Sequence, residues 1–187
     1  MPDYRRAHVP GGTFFFTVVT HGRRPLFRDP GVVERLREAI RVERVRRPFT
    51  IDAFVVLPDH LHAIWTLPPG DGDFSIRWSA IKAHFTRAHL AAGGSEGEPT
   101  AGELFGDRRA VWQPRFWEHT ISDDTDFERH FDYVHYNPVR HGFVACPSEW
   151  PASTFAHWVA RGVYPPDWAC GNTAFRPPSE GLYGEPE

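Results

Sequence analysis

The apolar positions of the chain form strand-like runs separated by helical stripes. Residues 13–19 and 49–57 are dense in β-branched and aromatic side chains, and each run predicts a buried strand. A third strand is predicted over about 60–67, because polar and apolar side chains alternate there. One face of it carries His60, His62, Ile64 and Thr66, and the other carries Leu61, Ala63, Trp65 and Leu67. A fourth strand is expected within 111–121.

Three segments have helical spacing. An Asp-Pro pair at 29–30 predicts an N-cap followed by proline at the first helical position, and this helix should end near residue 47. A second helix is expected over about 75–90. A third should begin at residue 122 or 123 and end at Asn137, where Pro138 is expected to stop it. Strands and helices that intermingle with hairpin-like connections predict an α+β domain with an antiparallel sheet.

Two segments lie outside this pattern. Residues 91–107 are small, polar and acidic, which indicates a flexible insertion. Residues 151–187 are rich in Pro, Gly and Trp, which indicates an irregular tail wrapped on the domain. The expected organisation is therefore one domain over 1–150 with an insertion at about 91–107, followed by the tail.

Composition adds mild constraints. The 187 residues carry a net charge of −3, which argues weakly against a nucleic-acid binder, but residues 1–47 contain 11 arginines and 5 acids. The sequence contains no run of about 18 apolar residues, so no membrane span is expected. The N-terminus does not resemble a secretory signal. We therefore expect a cytoplasmic protein. Cys146 and Cys170 fit no zinc-ligand spacing, so two reduced thiols are expected.

His60 and His62 are the first candidates for chemistry. Side chains two apart on a strand project from the same face, about 7 Å apart along the chain. Two imidazoles in that arrangement can hold one divalent metal ion. With 11 histidines in the chain, chance pairs are common, so the pair requires a third ligand to be convincing.

The predicted third helix supplies further candidates. With Phe127 at the centre of its apolar stripe, Tyr133 and Asn137 fall on an adjoining face, four residues apart and therefore side by side. Tyr136 lies about 60° further round the helix at 100° per residue and is the rival tyrosine. Packing of this helix on the strand face that bears the histidines would bring all of these groups together.

These residue types suit phosphodiester chemistry. A metal ion held by two imidazoles and an amide oxygen keeps positions open for phosphate oxygens and polarises the phosphate. A tyrosine oxygen would act as the covalent nucleophile, and the bond energy kept in the phosphotyrosine would allow rejoining without ATP. A tyrosine with a reference pKa of about 10 needs help from the metal or a base. His130 is a candidate helper, but we favour the interpretation that it is a satisfied surface histidine.

Four segments of the sequence resemble one family. LPDHLHAIWTLP is similar to the H-x-H motif of the single-tyrosine HUH transposases. YRRAHVPGGTFFFTVVT, VWQPRFWEHTI and DYVHYNPVRHGFV resemble the REP-associated tyrosine transposases in particular. The resemblance covers residues 4 to about 168, and the segment 91–107 departs from it, since shorter members run nearly straight into the W-Q block.

The resemblance implies a specific function. It implies a ferredoxin-like antiparallel sheet with helices packed on it, the HUH nuclease fold. It implies a transposase-like endonuclease and strand transferase that cuts single-stranded DNA at repetitive extragenic palindrome hairpins, using Mg²⁺ or Mn²⁺ and a covalent 5'-phosphotyrosine intermediate. The nucleophile falls on Tyr133, and the metal ligands fall on His60, His62 and Asn137. Such a protein would work at the nucleoid, as a monomer or homodimer.

Candidate DNA contacts are cationic side chains. The family resemblance places Arg5 and Arg6 in an N-terminal arm and Arg115 in the QPRFW block, while Arg77 and Lys82 lie on the second predicted helix. Cations that touch phosphate give an affinity that falls with salt. Trp117 can stack on an unpaired base or pack in the core.

Two other functions stay open. The chain can be a DNA hairpin-binding protein that keeps the fold without cutting. It can also be a hydrolase that activates water through its metal, in which case no covalent protein–DNA adduct would form.

Overall fold

A four-stranded antiparallel sheet is the centre of the fold. The computed structural model describes residues 8–99 and 109–171. The strands are β1 (Thr13–Val19), β2 (Thr50–Val56), β3 (His60–Thr66) and β4 (Trp117–Thr120). Their order across the sheet is β2-β3-β1-β4, and each neighbouring pair is antiparallel.

Helices alternate with these strands. They are α1 (Pro30–Arg46), α2 (Phe74–Ala91), α3 (Asp124–Arg140) and the short α4 (Phe155–Val159), with 3-10 turns at His21–Arg23, Leu26–Arg28 and Pro147–Glu149. The chain order through β4 is β-α-β-β-α-β, which with this strand order is the ferredoxin-like arrangement. The predicted fold class is thus confirmed. Among the described residues, no helix is both long and apolar enough to cross a membrane.

The two sheet faces carry different layers. Phe14, Phe16, Leu61, Ala63 and Trp65 point into a large core with residues of α1 and α2. Side chains one position along each strand, among them Phe15 and Ile64, point into a second core with residues of α3 and α4. The alternation expected for β3 is therefore confirmed, and it places His60 and His62 on the α3 side.

Helix α3 differs from the prediction at its end. It does not stop at Asn137 but continues through the buried Pro138 to Arg140. The proline cannot donate to the carbonyl of Val134, but it lies within the last turn, where few helical bonds depend on it. Backbone bonds from His141 to the Asn137 carbonyl (3.0 Å) and from Phe143 to the Pro138 carbonyl (3.0 Å) close the helix.

The described part of the tail lies along the free edge of β2. The Val56 N–H donates to the carbonyl of Ala152 (2.8 Å), and the Thr154 N–H donates to that of Phe54 (2.9 Å). The indole of Trp158 donates to the Asp52 carbonyl (2.8 Å). These contacts cover an edge strand that would otherwise expose unpaired backbone groups. The proposed division into 1–150 and a tail stays a prediction.

The described part of the predicted insertion is held to the domain. The Arg24 guanidinium donates to the Ser95 hydroxyl (2.6 Å), and the Gly97 N–H donates to the Ala110 carbonyl (2.8 Å). The remainder of the segment, 100–107, lies outside the described residues.

The prediction of two reduced thiols is wrong. Cys146 and Cys170 form a disulfide across 24 positions of sequence. The bridge joins the loop after α3 to the tail, beside a bond from the Gly171 N–H to the Ala145 carbonyl. Spacing alone could not reveal it, because the pairing depends on how the tail folds back on the domain.

Candidate active site

The pair His60 and His62 lies in the middle of the molecule, on the sheet face that packs against α3. His62 is fully buried and His60 is 3% exposed. Their ring centroids are 5.0 Å apart. The register places His60 opposite Val19 and His62 opposite Thr17 of β1. The rings are therefore close enough to share one small ligand.

Each histidine is oriented by a hydrogen bond at its Nδ1 atom. His60 Nδ1 lies 2.6 Å from Asp59 Oδ1, and His62 Nδ1 lies 2.9 Å from Thr17 Oγ1. Burial raises the pKa of Asp59, but hydrogen bonds from His60 and Arg23 outweigh it and hold that pKa at about 2. Asp59 is thus a carboxylate at neutral pH, and His60 must donate to it through Nδ1. In His60 the Nε2 atom is then the one that carries the lone pair.

The donor set fits a divalent metal ion. Among the described residues, no group hydrogen-bonds to the buried Nε2 atom of His60. A buried imidazole nitrogen in that condition is costly unless it binds something. A carboxylate or hydroxyl behind each imidazole is the usual support of a metal-bound histidine. These residues therefore suit the metal that the family resemblance implies.

Tyr133 packs directly on His62 of this pair. Its ring centroid is 5.2 Å from that of His62 and 5.9 Å from that of Phe15. The side chain is 1% exposed. The guanidinium carbon of Arg140 lies 5.7 Å from the centroid of the same ring. The predicted nucleophile thus lies beside a predicted metal ligand, in a buried site with a cation nearby.

Asn137 is bracketed by two residues that contact the histidines. It lies one helical turn after Tyr133, which packs on His62. It lies one turn before His141, whose ring centroid is 5.5 Å from that of His60. Asn137 is fully buried, so this run of α3 passes over both histidines with Asn137 between its two contacts.

Tyr136 points elsewhere. Its ring lies edge-on to Trp168 of the tail, with centroids 6.4 Å apart. The structure thus brings Tyr133 to the histidines and Tyr136 to the tail.

His130 does not belong to the surface. It is 3% exposed, and its ring centroid lies 4.8 Å from that of Phe15. Its Nδ1 atom lies 3.0 Å from Asp126 Oδ1, and burial lowers its pKa. The other carboxylate oxygen, Asp126 Oδ2, lies 2.8 Å from His119 Nε2.

Arg77 requires a correction. It was predicted to contact DNA, but it is 1% exposed and its guanidinium is saturated within the protein. It pairs with Asp71 (2.6 Å) and donates to the carbonyls of Arg47 and Pro48 at the end of α1. Charge patterning alone did not reveal that this cation is turned inward.

The other candidate DNA contacts differ among themselves. Arg115 is exposed. Lys82 is half-buried and donates to the Gln113 carbonyl at 2.6 Å. Trp117 packs against the α3-side core and stacks on His119, which favours the packing alternative. Arg5 and Arg6 lie outside the described residues.

Known proteins are similar to this chain over nearly its whole length. The chain is 46% identical over 175 residues to a REP-associated tyrosine transposase of Escherichia coli (strain K12), covering 94% of this chain and 95% of that one. The chain belongs to the REP-associated tyrosine transposases. A protein of Haemophilus influenzae (strain ATCC 51907 / DSM 11121 / KW20 / Rd) assigned to the same family is 37% identical over 174 residues, covering 90% and 93%. No protein-family model matches the chain.

A solved structure agrees with this assignment. A REP-associated tyrosine transposase bound to a REP hairpin superposes with a TM-score of 0.77 at 46% identity, covering 95% of this chain and 96% of that one. The expected enzyme class, a tyrosine transposase, is confirmed by these relatives, and so is the ferredoxin-like fold.

Sequence reasoning missed the residues that support the site. Asp59 and Thr17 orient the two histidines, Phe15 packs under both His62 and Tyr133, and Arg140 covers the tyrosine ring. Asp59 directly precedes His60, which was a signal available in the sequence. Thr17 could be found only through the pairing register of β1 with β3.

Proposed function

We propose that this transposase cuts and rejoins single-stranded DNA at repetitive extragenic palindrome hairpins, through a covalent 5'-phosphotyrosine on Tyr133. The observation that carries the proposal is the packing of Tyr133 on His62, beside a histidine pair whose Nδ1 atoms are both held from behind. A tyrosine that served only to fill the core would not require a histidine pair beside it.

The metal would be held by His60, His62 and Asn137. The donor set supports this: one Nε2 atom of the pair has no hydrogen-bond partner in the described chain, and Asn137 lies on the turn between the two helix contacts. Bound there, Mg²⁺ or Mn²⁺ would polarise the scissile phosphate and stabilise the charge that builds up on its oxygens.

The protein's own residues perform the transfer. The Tyr133 oxygen loses its proton and attacks phosphorus, a new P–O bond forms to the tyrosine, and the bond from phosphorus to the 3' oxygen breaks. The 3' oxygen leaves with the bonding electron pair and takes up a proton, which makes it a hydroxyl. The phosphotyrosine keeps the bond energy, so a 3' hydroxyl can attack it, release the tyrosine and join two strands without a nucleotide cofactor. Arg140 stacks on the ring and adds positive charge near the phosphate.

The substrate class comes from the family. The related transposase whose structure superposes on this chain is bound to a REP hairpin, and we extend that substrate class to this chain. Arg115 is exposed and is the described cation that we assign to phosphate contact. Arg5, Arg6 and Lys82 are further candidates, and action on chromosomal hairpins would place the protein at the nucleoid, as a monomer or homodimer.

Tyr133→Phe tests the proposal. A hairpin oligonucleotide with its unpaired flanks, labelled at the 3' end, is incubated with the full chain and Mn²⁺. The labelled strand should remain bound to the parent protein after denaturation, because the 5' phosphate of that fragment is on the tyrosine. Tyr133→Phe should form no adduct, since it keeps the ring and removes only the attacking oxygen.

The matched control is Tyr136→Phe, which removes a hydroxyl from the same helix and should leave the adduct intact. An adduct that survives Tyr133→Phe but is lost in Tyr136→Phe would contradict the assignment. Hairpin binding without cleavage in Mg²⁺ or Mn²⁺ would favour a non-cutting DNA-binding protein. Cleavage with no adduct would favour hydrolysis through water.

A further inference from the structure

Three ligand-type side chains meet beside Phe15, outside the proposed catalytic centre. His119 lies on β4, and Asp126 and His130 lie one turn apart near the start of α3. Strand β1, which carries Phe15, lies between β3 with His62 and β4 with His119. The Phe15 ring centroid is 5.4 Å from that of His62 and 4.8 Å from that of His130. The proposed transfer reaction uses none of these three residues.

The donor atoms of the three side chains already converge. His119 Nε2 lies 2.8 Å from Asp126 Oδ2, and His130 Nδ1 lies 3.0 Å from Asp126 Oδ1. All three ligand atoms lie within 4.8 Å of one another. Ligand atoms around a tetrahedral zinc ion, at bonds of about 2.0–2.2 Å, are about 3.3–3.6 Å apart. Small side-chain adjustments would therefore bring the cluster onto one ion.

The carboxylate is fixed in place by its surroundings. The Ser122 N–H donates to Asp126 Oδ2 at 2.9 Å, and the Ser122 hydroxyl lies 3.2 Å from the same oxygen. The backbone N–H of Asp126 donates to the N-cap residue Asp123 at 2.9 Å. Burial raises the pKa of Asp126, but the Ser122 N–H and His119 outweigh it and leave that pKa below its ordinary value. Hydrogen bonds to a ligating carboxylate are the kind of outer support that metal sites use.

The histidine rings are arranged face to face. Their planes are 16° apart, and their centroids are 4.7 Å apart. The His130 side chain is 4% exposed and that of His119 is 30% exposed. One ligand is therefore held rigidly inside the protein, and the other opens to solvent and gives an ion a path of entry.

We propose that His119, Asp126 and His130 form a second divalent-metal site, selective for Zn²⁺-class transition ions over Mg²⁺. Two imidazoles and one carboxylate are the protein ligands of open zinc sites, whereas Mg²⁺ prefers oxygen ligands and retains its waters. Binding would displace the hydrogen bond from His130 Nδ1 to the Asp126 carbonyl, which is 2.8 Å long. The ion would join β4 to α3 and so would hold the start of that helix to the sheet. Tyr133 lies on the same helix, seven residues after Asp126.

Cobalt titration tests this site separately from catalysis. Co²⁺ bound by four ligands absorbs visible light, and the number of equivalents is counted on the full chain. A background of His60→Ala with His62→Ala removes the proposed catalytic centre. We expect this double variant to bind one equivalent of Co²⁺ and the parent protein to bind two. Asp126→Asn and His119→Gln should each remove one equivalent from the parent, and Zn²⁺ should displace the cobalt.

His157→Gln is the matched control, because His157 lies on α4 away from both sites, and it should leave the count unchanged. A parent that loses no equivalent on Asp126→Asn, with unchanged circular dichroism, would show that the cluster is only a hydrogen-bonded network. Should the double background variant fail to fold, the comparison of parent with Asp126→Asn still decides the question. Loss of the DNA adduct in Tyr133→Phe would leave the cobalt count untouched, so the two proposals fail independently.

Discussion

At the residue scale, the side chains that hydrogen-bond to the two histidines matter to the proposed site as much as the histidines do. Asp59 and Thr17 each contact an Nδ1 atom. These contacts hold the orientation of both rings, and the Asp59 carboxylate also fixes the tautomer of His60. The buried Nε2 of His60, which has no hydrogen-bond partner in the described parts of the chain, is the consequence.

Thr17→Val tests this support. Valine has nearly the shape of threonine but cannot hydrogen-bond to His62, so the ring loses its orienting partner while the packing is kept. We expect the affinity for Mn²⁺ to fall by about 10- to 100-fold. The measurement is the Mn²⁺ concentration that gives half-maximal adduct formation with hairpin DNA.

Thr50→Val on β2 is the control, since Thr50 is exposed at the start of that strand, and its Mn²⁺ requirement should equal that of the parent. If Thr17→Val leaves the Mn²⁺ requirement unchanged, the hydroxyl does not orient a metal ligand and the proposed role of His62 weakens.

Local periodicity brought together the side chains of the proposed site but did not reveal the residues that hydrogen-bond to them. Alternation on β3 placed His60 and His62 on one face, and helical spacing placed Asn137 beside Tyr133. Both patterns need only neighbours in sequence. The contact between Thr17 and His62 spans 45 positions, and it depends on a strand register that no local pattern fixes.

At the element scale, the error at the end of α3 has a physical origin. Proline is costly inside a helix because it removes one backbone bond and crowds the preceding turn. In the last turn that cost is small, and the buried Pro138 gains packing. The extra turn carries the helix past Asn137 to Arg140, which covers Tyr133.

Arg77 shows how one cation can join elements. It fastens the first turn of α2 to the end of α1 and to Asp71 in the preceding loop. Arg77→Met should lower the free energy of unfolding by about 1–3 kcal/mol, because it removes the hydrogen bonds of a buried guanidinium to partly exposed acceptors. Urea denaturation followed by circular dichroism measures it. Hairpin affinity of the folded variant should match that of the parent.

The control for Arg77 is Arg115→Ala. Arg115 is exposed, so its removal should change stability little, within about 0.5 kcal/mol. It should weaken hairpin binding and reduce the salt dependence of that binding. The reverse pattern, with DNA affinity lost in Arg77→Met and kept in Arg115→Ala, would overturn the correction made for Arg77.

At the scale of the whole molecule, the sheet was predictable, whereas the place where the tail packs on the domain was not. Four strands with two intervening helices and hairpin-like connections leave few antiparallel arrangements. The family resemblance selected the ferredoxin-like one. The tail instead adds along the edge of β2, about 100 positions away in sequence, and Tyr164 donates to Asp132 of α3 at 2.6 Å. Contacts of that range leave no periodic signal.

The disulfide allows the contribution of the tail to be measured. Cys146 and Cys170 close a loop across 24 positions, and the loop-entropy relation predicts a stabilisation of about 3–4 kcal/mol. Cys146→Ser should lose that amount in urea unfolding, and Cys170→Ser should lose the same. The double variant should lose no more than either, because one bond is removed in all three. Dithiothreitol should lower the stability of the parent to the level of the variants and leave the variants unchanged. If the oxidised parent is no more stable than Cys146→Ser, the bridge does not hold the tail, and the β2-edge contacts alone keep it on the domain.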